Sequence, residues 1–277
     1  MAKTLRLTCL VLALALVPTL ARAQLSVYRP NNPAIGETYN LELSLGLWNP
    51  TPAITIASSS LSLIGTEIDA VTDLGFTTTR FTDFHLVLRP AKKHKIRFEY
   101  LPLKYSADAT LTRSINFHGV SYQVGVPVSS SLEWRAYRFG YEYDFLYRTS
   151  GFIGVVGHVM YADVKANVAT ALPSPLPNAS AAAAQRAPIP GIGGIARGYV
   201  ARNVSMTGEL AGFKLPSNAT SDRKGRYVDF DIYATVNFSD NVGVQGGYRS
   251  IDLMYQITDD SGTLKLKGVY ARGVVRF

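Results

Sequence analysis

Between Tyr227 and Phe238 the chain alternates with a period of two. Val228, Phe230, Ile232, Ala234, Val236 and Phe238 fall on one side, and Asp229, Asp231, Tyr233, Thr235 and Asn237 on the other. Successive side chains of a strand point to opposite faces, so the segment predicts a strand with one apolar and one polar face. Leu41, Leu43, Leu45 and Leu47 repeat the pattern against Asn40, Glu42, Ser44 and Gly46, as do Ile96, Phe98 and Tyr100 against Lys95, Arg97 and Glu99. Such strands serve a sandwich in water or a wall in lipid.

The connections and the two ends of the chain favour lipid. Strands are predicted near 39–49, 77–89, 95–115, 129–147, 151–169, 190–201, 204–215, 226–238, 242–257 and 263–277. Long and short connections alternate between them. A chain that crosses a bilayer as strands must pair every backbone N–H and C=O internally, which leaves a closed barrel. Ten strands, an even number, put both termini at the end with the short turns. Apolar residues within Thr51–Gly65 leave twelve strands as the alternative count.

Residues 1–23 read as an export signal. Lys3 and Arg6 form a positive start, Leu7–Val17 an apolar run, and Ala21-Arg22-Ala23 a small-x-small cleavage site before Gln24. Cys9, the single cysteine, lies within that signal, so the mature chain has no thiol chemistry. Removing the signal takes three basic residues, so 28 Lys plus Arg against 20 Asp plus Glu becomes 25 against 20, a mild +5. Beyond it no run reaches the roughly 18 apolar residues of a membrane helix. Residues 24–38 are expected to form a short periplasmic tail or small plug, and 39–277 one all-β, closed, antiparallel barrel. Residues 170–189, rich in proline and alanine, are expected to be an exposed loop.

Aromatic residues near the short connections, Phe98, Tyr100, Tyr143, Phe145, Phe152, Phe238 and Phe277, are expected to form a lower interfacial girdle. Trp134, Tyr161, Phe213 and Tyr255 are candidates for an upper one.

With this signal, this strand rhythm and the terminal Val275-Arg276-Phe277, the mature chain resembles bacterial outer-membrane β-barrel proteins as a class. The resemblance implies residence in the outer membrane among lipid and lipopolysaccharide. It also implies insertion by the barrel-assembly machinery, which in that class reads a terminal aromatic with apolar residues at alternate positions. Phe277, Val275, Ala271 and Val269 fit that row.

The polar faces are heavily charged. Glu42, Asp83, His85, Arg97, Glu99, Arg138, Glu142, Asp144, Asp163, Lys165, Arg197, Glu209, Asp229, Asp231 and Arg249 are expected to meet in the lumen, with Arg89, Lys95, Arg272 and Arg276 among them. Small barrels are commonly filled, so a salt-bridged interior is favoured over a charged constriction. The functional expectation is a structural barrel or a narrow passive pore, with a surface-contact barrel or a hydrolase as alternatives. Asp83 and His85 share a face as an acid–histidine pair would, but an ordinary lumen hydrogen bond is the simpler reading. His94, His118 and His158 lack metal-ligand spacing. Gly191-Ile-Gly-Gly-Ile-Ala196 matches a dinucleotide fingerprint, yet it leads into a strand and not a helix, so curvature of a barrel strand explains it better. No enzyme activity, cofactor, metal or nucleic-acid partner is expected.

Overall fold

The structure, a computed structural model, describes residues 33–60, 63–171, 178–215, 223–257 and 259–277. The export signal lies outside the described residues. The strands in chain order are β1 (Leu41–Ser58), β2 (Ile68–Asp69), β3 (Phe81–Ala91), β4 (His94–Thr110), β5 (Ile115–Phe117), β6 (Val120–Tyr122), β7 (Pro127–Arg148), β8 (Gly151–Thr170), β9 (Ser180–Ala201), β10 (Val204–Lys214), β11 (Lys224–Asn237), β12 (Val242–Gln256) and β13 (Asp260–Arg276). Ten of them, all except β2, β5 and β6, pair antiparallel in sequence order around a ring. β13 closes it on β1, from Glu42 opposite Arg276 to Ser58 opposite Asp260. Closure leaves no sheet edge at membrane depth, which is what lipid demands of a strand wall.

Alternation assigns the two faces. Leu45, Phe139, Val159, Leu210, Ile232 and Val269 stand exposed on the outside, whereas Glu42, Asp83, Lys95, Glu99, Glu142, Asp229 and Arg249 are buried within. A tilted strand crosses the hydrocarbon in roughly 9–11 residues. β7 and β9, at 22 residues each, and β8, at 20, therefore rise well beyond it at the long-loop end.

The long loops fold back into the barrel mouth. Ile68, Leu74 and Phe76, between β1 and β3, and Leu111, Ile115, Phe117 and Tyr122, between β4 and β7, pack on wall residues that include Trp48, Leu101, Leu103, Leu132, Trp134, Ile251 and Leu266. The Tyr122 hydroxyl donates to the Val168 carbonyl at 2.8 Å. Arg113 ties the two loops together by donating to Asp73 through Nε at 3.0 Å and Nη2 at 2.6 Å. His118 and Gly119, with φ of 46° and 84°, make the tight turn of the β5–β6 hairpin. The outer half of the barrel thus has an apolar core that the loops help to build.

Several expectations change. β1 continues to Ser58, so Thr51–Gly65 adds no pair of wall strands and the count is ten. Residues 180–189 are not loop but the outer end of β9, paired with β8 from Ala169 opposite Ser180 onward. Residues 172–177 lie outside the described residues. Trp134, Phe213 and Tyr255 do not face lipid. They share the inward parity of Ala136, Ala211 and Leu253, and Trp134 is buried in the apolar core. Tyr161 does face out. Phe152, expected in the lower girdle, is buried in the lumen. The glycine motif lies within β9, where Gly191 faces the His158 ring so closely that a Cβ would collide with it.

Candidate functional site

Below the apolar core the lumen is ionic. At mid-height Arg249 of β12 reaches across to Glu99 of β4, Nη1 to Oε1 at 2.5 Å, and also holds Asp229 of β11 through Nη2 at 2.8 Å. Arg138 of β7 bridges the same two carboxylates, at 3.2 Å to Glu99, and also donates to Asp229 and to the Tyr227 hydroxyl. Two arginines and two carboxylates from four strands therefore cross-brace the barrel. Beside them Arg97 joins Glu142 at 3.2 Å to Glu209 on β10 at 2.8 Å.

A second group lines the wall on either side of β1. Arg272 donates to Asp83 at 2.8 Å through Nε, and Tyr270 donates to Asp231 at 2.8 Å. His85 Nε2 lies 3.0 Å from Asp83 Oδ2. Nearer the short turns, Arg276 meets Glu42 at 2.6 Å, and Lys95 meets Glu142 at 2.5 Å and Asp144 at 3.0 Å.

The N-terminal segment closes this end. Gly36, with φ of 81°, turns the chain so that Glu37 enters the lumen, where Arg197 binds it at 3.0 Å and the Tyr199 hydroxyl donates to it. Arg89 donates to the Glu37 carbonyl. Burial opposes the Glu37 charge, but Arg197, the Tyr199 hydroxyl, Lys95 and Arg89 outweigh it and hold the carboxyl below its usual range. Asn237 Nδ2 and Asp240 Oδ1 fix the adjoining backbone at Ile35 and Gly36.

Burying ions costs several kcal/mol each unless partners compensate, and removing one partner of a buried pair costs about 3–5 kcal/mol. The lumen meets that requirement with paired guanidiniums and carboxylates and with tyrosine hydroxyls. A central cavity of about 60 Å³ remains, lined by residues that include Ser44, His85, Arg97, Glu99, His158 and Arg249. Neither ring nitrogen of His158 has a partner among the described residues. No group of three metal-ligating side chains occurs among them either.

The structure places Glu42, Asp83, His85, Arg97, Glu99, Arg138, Glu142, Asp144, Arg197, Glu209, Asp229, Asp231 and Arg249 together in the lumen. Asp163 and Lys165 are corrections. Each shares its face with the exposed Val159 and Tyr161, and Asp163 pairs outside with its cross-strand neighbour Arg186 at 3.3 Å. They lie near the outer end of β8, where the inward side chains Ala162, Val164, Ala166 and Val168 join the apolar core and the polar residues face out, so the alternation is inverted. Sequence reasoning placed Tyr233 on the polar face but missed Glu37 and the lumen tyrosines Tyr199, Tyr227 and Tyr270. The tyrosines share the parity of the charges, which is the signal that would have found them. At the chain end Val275 and Phe277 face outward, and Phe277 exchanges backbone hydrogen bonds with Leu41 at 2.8 and 3.0 Å.

The His85–Asp83 pair makes a poor catalytic centre. Arg272 already occupies the carboxylate, and Ser44, opposite His85 on β1, makes no hydrogen bond with it among the described residues.

No protein-family model matches the chain, and a search of curated proteins finds no match. Among solved structures, the outer-membrane protease OmpT of Escherichia coli is similar in fold, with a TM-score of 0.56 at 9% identity, covering 89% of this chain and 99% of that one. The Pseudomonas putida toluene transporter TodX matches with a TM-score of 0.36 at 8% identity over 91% of each chain. Ail of Yersinia pestis does so at 0.35 and 7%, over 84% of this chain and 99% of its own. At these identities the likeness extends to the fold alone. Closed ten-stranded wall, apolar exterior and ionic lumen define the class: the chain is an integral β-barrel of the outer-membrane type.

Proposed function

We propose that this protein is a filled, non-conducting barrel that acts as a rigid scaffold for its outer wall and loops. The observation that carries the reading is the cross-brace of Arg138 and Arg249 on Glu99 and Asp229, roofed by the apolar core of the mouth. Salt bridges that span the lumen resist widening, and loops packed on Trp48 and Trp134 exclude water above them. The passive-pore reading has no comparable support. The tall outer ends of β7, β8 and β9 favour a surface-contact role, because they hold a stiff wall beyond the membrane.

In this reading the chain is exported by residues 1–23, cleaved after Ala23, and inserted by the assembly machinery through the Val275 and Phe277 row. It works without cofactor and without catalysis. Proteoliposomes test the function. Vesicles holding the folded barrel should swell in glycine or arabinose no faster than protein-free vesicles, whereas solute-size-dependent swelling would restore the pore.

A further inference from the structure

The barrel wall has a notch at its outer rim. β10 pairs with β9 only from Ala201 opposite Val204 to Ile192 opposite Gly212, so above Ile192 the outer end of β9 has a partner on its β8 side alone among the described residues. From Ala201 to Ile192 a strand covers about the hydrocarbon thickness, since 9–11 tilted residues span it. The notch therefore opens at the boundary between acyl chains and headgroups. Pro188 and Pro190 lie along this stretch, and proline, having no N–H to donate, is tolerated where a strand lacks a neighbour.

Behind the notch is a cavity of about 420 Å³ whose walls, among them Ala187, Ile189, Phe213, Leu253 and Tyr255, are almost wholly apolar. That volume falls within the roughly 300–1,000 Å³ of small-molecule sites. Arg223, Lys224 and Arg226 are among the cavity's lining residues, and Lys214 lies opposite Arg226 on the neighbouring strand. Arg226 is shared with Asp252 at 3.1 Å, while Lys214 and Lys224 have no carboxylate partner among the described residues. An apolar hole at acyl depth beneath a cluster of cations at phosphate depth has the polarity of one kind of molecule.

We propose that the notch binds an outer-leaflet glycolipid bearing acyl chains and sugar phosphates, the chemistry of lipopolysaccharide. One acyl chain enters beside β9 into the cavity, and a phosphate lies against Lys214, Lys224 and Arg226. The braced lumen below gives the chain no onward route, so the site is one of binding and not of passage. This inference stands apart from the scaffold reading, since a conducting barrel could carry the same notch.

Photocrosslinking in intact Gram-negative cells tests it, with p-benzoylphenylalanine placed at Phe213 or Tyr255 in the cavity and, as a bulk-lipid control, at the outward-facing Leu210. Heat-dependent electrophoretic mobility confirms that each variant has folded. The cavity positions are expected to yield lipopolysaccharide adducts, and the triple change Lys214→Gln, Lys224→Gln, Arg226→Gln to reduce them at least about fivefold while leaving the Leu210 control unchanged. Filling the cavity with Ala187→Trp should reduce them as well. If that variant does not fold, the charge variant decides. Adducts only to phospholipid or to the protein itself, the absence of adducts, or lipopolysaccharide adducts indifferent to the triple change would overturn the proposal.

Discussion

Asp73 and Arg113 show how a single pair can hold the roof of the barrel. The Arg113 hydrogen bonds are the main influence that lowers the Asp73 carboxyl, and they outweigh the opposing effect of its burial. A carboxylate depressed on folding stabilises the fold above its unfolded value, near 3.9, and loses that contribution as pH falls through the folded value. The chain's two tryptophans, Trp48 and Trp134, both lie buried in the core that this pair helps to close. Acrylamide quenching of their fluorescence should therefore stay low at pH 7 and rise as pH drops below about 4. Asp73→Asn should raise it already at pH 7 and flatten the acid step. With Arg113 partly exposed, the pair contributes only about 1 kcal/mol, so the variant should still fold. Nothing in the sequence pairs these two residues, because they meet through loops with no period to read. Glu37 escaped for the same reason, its place being set by the turn at Gly36 and by the wall it enters.

At the scale of the strand, alternation was a reliable guide wherever lipid demanded it. β11 has Phe230 and Ile232 outside and Asp229 and Asp231 inside, as its sequence predicts. Phe230→Arg would place a charge in hydrocarbon at a cost of about 2–4 kcal/mol near the midplane, and the folded, heat-modifiable fraction should fall. Asp229→Ala should insert, but it would leave Arg138 and Arg249 short of a partner and lower the urea midpoint of unfolding. Normal insertion of the first variant with failed insertion of the second would invert the assignment of faces. Alternation misleads above the membrane, where the inner face joins the apolar core of the mouth and the outer face meets water. The outer end of β9 begins Ser-Ala-Ala-Ala-Ala, a run without contrast followed by prolines, and only its pairing with β8 makes it a strand. Asp163 and Lys165 were misplaced at the same height on the neighbouring strand.

The whole molecule has two unlike ends. Short turns and the Glu37 segment close one, and the apolar loops roof the other. In outer-membrane barrels the short turns face the periplasm. An epitope inserted at Gly125, in the exposed loop before β7, should therefore bind antibody on intact cells, while one at Lys92–Lys93 should do so only after permeabilisation. The reverse result would turn the barrel over in the membrane. The closed wall was legible from the spacing of strands, and the charged lumen from their inner faces. The roof was not, although Ile68, Leu74, Phe76, Ile115, Phe117 and Tyr122 are more apolar than loops in water require.

That roof and the brace beneath it make a sealed barrel the central claim, and single-channel recording from purified protein in planar bilayers tests it most directly. Wild-type barrels shown to be folded by heat-dependent mobility should give no discrete current steps. Reproducible unit conductance from the same preparation would contradict the account.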